Sequence, residues 1–158
     1  MRDVFFILAA GFVLLVLETA LGRVFQAGMI RLDGVVPMVI WHGLRRPLPA
    51  GLIPVLALAL LAGVFSNVAT GLFFVAYAAG YLLVRYLQGQ VLCPAAWQQA
   101  LLAGFVGLAV ALVLFAGDGV TDLFWPWGVG QAVVWGVTAP AWFWLFDRAE
   151  SWLPEPEA

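Results

Sequence analysis

Residues Trp97–Ala116 run for 20 positions without one charged side chain. As a helix rising 1.5 Å per residue they would reach about 30 Å, the thickness of a bilayer's hydrocarbon core. A segment of that kind has only lipid or other apolar helices in which to bury itself. Four more apolar runs accompany it, Val4–Leu21, Leu52–Phe65, Val68–Leu87 and Phe124–Phe146. The breaks at Arg45–Gly51, Gln88–Pro94 and Gly117–Asp122 gather glycine, proline and polar residues, which punctuate an apolar pattern. The runs are continuous, whereas membrane strands alternate in polarity, and a helix satisfies all its backbone groups locally. The expected fold is an all-α, polytopic integral membrane helical bundle.

Composition agrees. Of 158 residues 65% are hydrophobic and 10% charged, against about a quarter charged in soluble domains. Five or six spans would take roughly 100 to 120 positions, which leaves short loops. The expected organisation is one transmembrane domain over 1–147 and a short acidic tail over 148–158. The opening residues begin like a signal peptide, but Glu18 and Thr19 stand where a small-x-small cleavage site would follow, so this run is read as a retained first helix. One cysteine, Cys93, and one histidine, His42, make neither an internal disulfide nor the usual four-ligand zinc site, and no cofactor or metal is expected. All seven basic residues are dispersed arginines, which make no basic stripe for nucleic acid.

The segment Gly34–Leu44 poses the hardest question. It is apolar, contains Pro37, lies between Asp33 and Arg45–Arg46, and as a helix would reach only about 16 Å. It must cross, return to the side it left, or sit inside the bundle. Arginines in short loops favour the cytoplasmic side. Six spans place Arg2, Arg45, Arg46, Arg85 and Arg148 inside and Arg23 and Arg31 outside, whereas five spans with an external N-terminus leave only Arg2 outside. Both arrangements put the Arg45–Arg46 loop and the C-terminus in the cytoplasm and the Gly117–Asp122 loop outside. Ser66 and Asn67 alone separate two apolar runs, which predicts a tight helical hairpin whose turn must be covered by protein.

Few polar residues stand out. Glu18 is a candidate intramembrane site because a charge at membrane depth is costly; Arg23, about a turn further on, offers it a partner or a lead toward water. His42 would share a helix face with Arg45 and Arg46, and the simplest reading is a hydrogen-bonding residue of the interfacial belt. Arg45 and Arg46 are candidates for contact with anionic lipid or a partner. Asp118 and Asp122 sit among glycines that favour a solvated loop. Ala103, Gly107 and Ala111 recur every fourth residue, a stripe that lets helix backbones approach closely, either to dock a partner helix or to pack internally. Tryptophans at both ends of the last run suit the two interfacial belts. No motif of a metalloprotease, serine hydrolase or phosphate loop is present.

The stretch Arg31–Leu87 resembles the rod shape-determining protein MreD family. Pro37 follows Arg31 and Asp33, Gly43–Gly51 ("GLRRPLPAG") is similar to the family's basic turn, and Ala62–Leu87 is similar to its glycine-led element and following helix. Asn67 stands where the family pattern commonly has an aspartate, keeping hydrogen-bonding capacity without a carboxylate, so Asn67 joins Glu18 and His42 as a candidate polar site. The resemblance implies a bacterial inner-membrane protein of about six helices with both termini cytoplasmic. It implies a fold similar to the substrate-capturing subunits of energy-coupling-factor vitamin transporters, with Gly34–Leu44 as a short second helix within the bundle. It also implies a partner, the bitopic protein MreC, within the elongation machinery that directs peptidoglycan synthesis.

Three functions are thereby set against one another. The first is a non-catalytic scaffold that binds partner helices and lipid. The second is a vitamin-capturing transporter subunit, which would need a polar external cavity. The third is an enzyme acting on lipid head groups, which would need clustered carboxylates or histidines.

Overall fold

The short apolar segment lies at the centre of the molecule. In the computed structural model, which describes residues 2–25, 33–66, 70–89, 95–117, 119, 122 and 124–152, the elements run α1 (Arg2–Phe25), α2 (Val35–Arg45), α3 (Leu52–Phe65), α4 (Thr70–Gln88), α5 (Ala96–Gly117), a π-helical turn (Phe124–Gly128) and α6 (Val129–Glu150). No strand occurs among the described residues. Helix α2 packs against α1, α4, α5 and α6, and Val35 through Gly43 are all buried.

Local chemistry sets both ends of α2. The Asp33 carboxylate accepts a hydrogen bond from the Val35 amide at 2.6 Å, satisfying one of the donors that a helix start leaves over. Pro37 falls in the first turn, where its missing N–H removes no helical bond. The helix stops because Pro47 forces its predecessor out of the helical region, and Arg46 is extended at φ −117° and ψ 129°. The turn that follows closes through Gly51 N–H to Pro47 O at 3.0 Å. A Cβ on Gly51 would overlap the Tyr81 hydroxyl, so only glycine fits this turn against α4.

Among the described residues three helices are long and apolar enough to cross a membrane: Gly71–Gln88, Ala96–Gly117 and Phe124–Glu150. This is an α-helical membrane protein. Val4–Ala20 and Leu52–Phe65 are shorter apolar helices, and α2, at 11 residues, reaches about 16 Å.

The helices alternate in direction around α2. Phe6 of α1 packs on Trp41 near the C-terminal end of α2 with ring centroids 6.0 Å apart, and Trp41 packs on Phe146 of α6 at 5.6 Å. The start of α1 and the ends of α2 and α6 therefore share one end of the bundle. Helices α3 and α4 pack together as the expected hairpin; its turn, with Asn67, lies outside the described residues. Helix α6 continues through Glu150, so the tail expected from Arg148 onward begins later: residues 148–150 belong to the bundle.

The closest approach joins α5 to α6. A Cβ on Gly136 would stand 2.9 Å from Ala100 O and 3.1 Å from Gly104 Cα, and one on Gly107 would stand 2.8 Å from the Trp135 ring. Ala103 and Ala111 are fully buried. The stripe Ala103, Gly107 and Ala111, whose spacing fitted either a docking face for a partner or internal packing, is buried within the chain. Fourfold spacing of small residues marks close packing without saying whether the neighbour belongs to the same chain.

Candidate functional site at the charged end of the bundle

The end of α2, like any helix end, leaves its last carbonyls without partners within the helix. Helix α4 supplies the donors. Gln88 Nε2 donates to Leu44 O at 2.7 Å, Tyr81 Oη donates to Arg46 O at 2.8 Å, and Arg85 Nη1 reaches Gly43 O at 3.4 Å. Arg85 also bonds to Gln88 Oε1, which fixes both side chains. A cation here opposes the negative end of the α2 dipole.

Helix α6 holds the other flank. Asp147 Oδ1 accepts a hydrogen bond from Trp41 Nε1 at 2.6 Å and an ion pair from Arg45 Nη2 at 2.7 Å. The Arg45 guanidinium lies 5.3 Å from the centre of the Trp41 ring, within cation–π range. Glu150 takes Arg46 Nη2 at 3.0 Å and lies 3.8 Å from Arg45 Nη1.

Arg45 and Arg46, read from sequence as a lipid- or partner-facing pair, are therefore engaged by two acids of their own chain. Local spacing does not reveal this pairing, because Asp147 and Glu150 lie more than a hundred residues away. With the Arg45 and Asp147 side chains 46% and 45% exposed, solvent screens the pair, and it contributes at most about 1 kcal/mol. Changing both arginines to glutamate is expected to lower the melting temperature in detergent by loosening α2 from α6. Adding Glu150→Lys, which leaves Asp147 in place to accept from Trp41 Nε1, should recover part of the loss. Unchanged melting of the variant with both arginines changed would remove the pairs from the fold's support.

His42, read from sequence as a residue of the interfacial belt, is buried within the bundle, because its neighbours cover α2; its ring lies 6.5 Å from that of Tyr81 and 6.4 Å from that of Trp41. Glu18 is half-buried on α1 and engaged with other groups. Glu18 and Asp33 both lie within electrostatic reach of buried Tyr77, so Glu18 belongs to the opposite end of the bundle from Arg45. The structure does not gather the candidate polar residues into one site: His42 is central, Glu18 is remote from it, and Asn67 and Asp118 lie outside the described residues. Asp122 is exposed. Among the described residues no group of three or more His, Cys, Asp or Glu side chains is placed to hold a metal.

Sequence reading missed Tyr81, Gln88, Asp147 and Glu150, which build the clamp, and the buried amide of Gln131. Polar side chains at the ends of the fourth and last apolar runs are visible in the sequence, but nothing in their spacing points to α2 as their partner. No protein-family model, no curated protein and no solved structure matches this chain.

Proposed function

We propose that this protein is a non-catalytic scaffold of the bacterial inner membrane, MreD-like in kind. On this reading it binds an MreC-like bitopic partner, with other elongation-machinery proteins and lipid around it, and helps direct peptidoglycan synthesis. The observation that carries the reading is α2: an 11-residue helix, buried along most of its length and capped by α4, which agrees with the short central helix that the resemblance implies. The groups around it clamp helices together and leave no convergent reactive set among the described residues. That arrangement suits a rigid platform better than a catalyst.

The same reading has six helices passing alternately through the bilayer, α2 as a half-length member, and both termini in the cytoplasm. The described arginine side chains Arg45, Arg46, Arg85 and Arg148 gather at the end shared by the α1 start and the α6 C-terminus, which supports a cytoplasmic assignment of that end. A reporter active only in the periplasm is expected to be silent when fused before Val4 and active when inserted at Gly119. An active N-terminal fusion would overturn the six-pass layout.

The partner is tested by co-expression with an MreC-like protein carrying its own transmembrane helix. Co-purification from native membrane, lost when that helix is exchanged for an unrelated one, is the expected result. Absence of co-purification, together with a thermal shift produced by a single vitamin, would replace the scaffold with the transporter subunit.

A further inference from the structure

Helix α6 runs unbroken from Val129 to Glu150, although Pro140 stands in its interior. A proline has no N–H to give the carbonyl four residues back, and its ring crowds that carbonyl, so Gly136 O lacks its helical donor. Two residues before the proline, Thr138 Oγ1 donates to Val134 O at 2.7 Å, a back-bond that weakens and bends helices. One turn of α6, from Gly136 to Pro140, therefore resists bending less than the turns on either side of it.

That turn divides α6 by what it touches. Before it, the helix is seated on α5: a Cβ on Gly136 would stand 2.9 Å from Ala100 O, and the Trp135 ring lies against Gly107. The two helices run in opposite directions, and α5 begins at Ala96, four residues before Ala100, so α5 gives out alongside residue 140. The last ten residues of α6 meet α2 instead. The Trp142 ring lies against Gly34, where a Cβ would stand 3.0 Å from it. Phe146 packs on Trp41 at 5.6 Å, and Asp147 and Glu150 pair with Arg45 and Arg46.

We propose that the Gly136–Pro140 turn is a hinge about which the last ten residues of α6 swing off α2, with the pairs to Arg45 and Arg46 as the latch. The latch suits that work, because its charges are partly exposed and screened by solvent, so each pair holds the closed form only weakly. Swinging open releases both arginines and both acids and uncovers Trp41, while the α5 contact keeps the first half of α6 in place. The device goes beyond the scaffold reading and is independent of the partner assigned above: whatever the bundle docks, its charged end has a closed and an open form.

The test is double electron–electron resonance on the full chain in lipid nanodiscs, with Cys93→Ala, or Cys93→Ser should the first not fold, so that only introduced cysteines carry nitroxides. One pair spans the hinge, Tyr86→Cys on α4 with Trp144→Cys on α6. The other lies on its fixed side, Val75→Cys on α4 with Val133→Cys on α6, and all four positions are exposed. The spanning pair is expected to give two distances and the fixed pair one. Pro140→Ala restores one helical hydrogen bond and should lower the ratio of open to closed about fivefold. Glu150→Gln, which leaves Asp147 to accept from Trp41, should raise it by up to about fivefold. A single distance from the spanning pair, two from the fixed pair, or a ratio that Pro140→Ala leaves unmoved would overturn the hinge. A ratio unmoved by Glu150→Gln would overturn the latch.

Discussion

Gly136→Leu is expected to prevent stable accumulation of the protein, because it strikes backbone on the facing helix. The first carbon of any side chain at Gly136 would stand 2.9 Å from Ala100 O and 3.1 Å from Gly104 Cα. A crowded side chain can rotate away, but these atoms cannot move unless α5 itself moves. Overpacking typically costs about 1–3 kcal/mol and occasionally more, and a clash with backbone belongs at or above the top of that range. Lipid offers no hydrophobic contrast to press the helices back together. Gly136→Ala should already lower the melting temperature in detergent, and Val137→Leu, one position along and facing outward, should leave it unchanged. Gly107→Leu tests the neighbouring contact, where the obstacle is the Trp135 ring at 2.8 Å, and should cost less than Gly136→Leu. Equal stability of Gly136→Leu and Val137→Leu would show that α5 and α6 are not packed in this register.

Trp41→Ala is expected to have the second large effect. The indole is 4% exposed, packs between Phe6 and Phe146, lies beneath Arg45 and donates to Asp147. Truncating an aromatic ring of this kind costs about 3–5 kcal/mol. Two milder variants separate packing from the hydrogen bond. Trp41→Phe keeps most of the ring and removes the donor, for about 1 kcal/mol; Asp147→Ala strands the buried N–H, for about 1–3 kcal/mol. Unfolding in mixed micelles by added dodecyl sulfate, applied to both single variants and the double variant, yields the coupling directly. Additive losses would mean that Trp41 is held by packing alone.

Helix positions were readable from the sequence because the apolar runs and their glycine and proline breaks are local signals. Helix α4 is described from Thr70 to Gln88, one residue past its expected end, and the last run opens with a π-helical turn over Phe124–Gly128 and extends four residues beyond its expected end. Pro47 likewise announced the end of α2 through the geometry it imposes on Arg46. Long-range pairing was not readable. Trp41 finds Asp147 across 106 residues, and nothing in the spacing of either reveals the other. The depth of α2 was ambiguous for a related reason: an 11-residue apolar helix has the same sequence whether it dips into lipid or is wrapped by protein. Likewise, the fourfold ladder on α5 showed that something packs closely there, and only the position of Trp135 shows what.

The placement of α2 also dictates an order of manufacture. Its flanking helices, α4 and α6, and both acids of its clamp lie downstream of it in the chain. When the ribosome has made Trp41, the residue's hydrogen-bond acceptor is still 106 codons away, roughly 5–20 s at ordinary rates of synthesis. For that interval the innermost helix of the finished protein has neither its carbonyl donors nor its counter-charges, and it is too short to rest across a bilayer by itself. The insertion machinery, or the lipid interface, must hold the half-made chain until the last helix arrives and closes the centre.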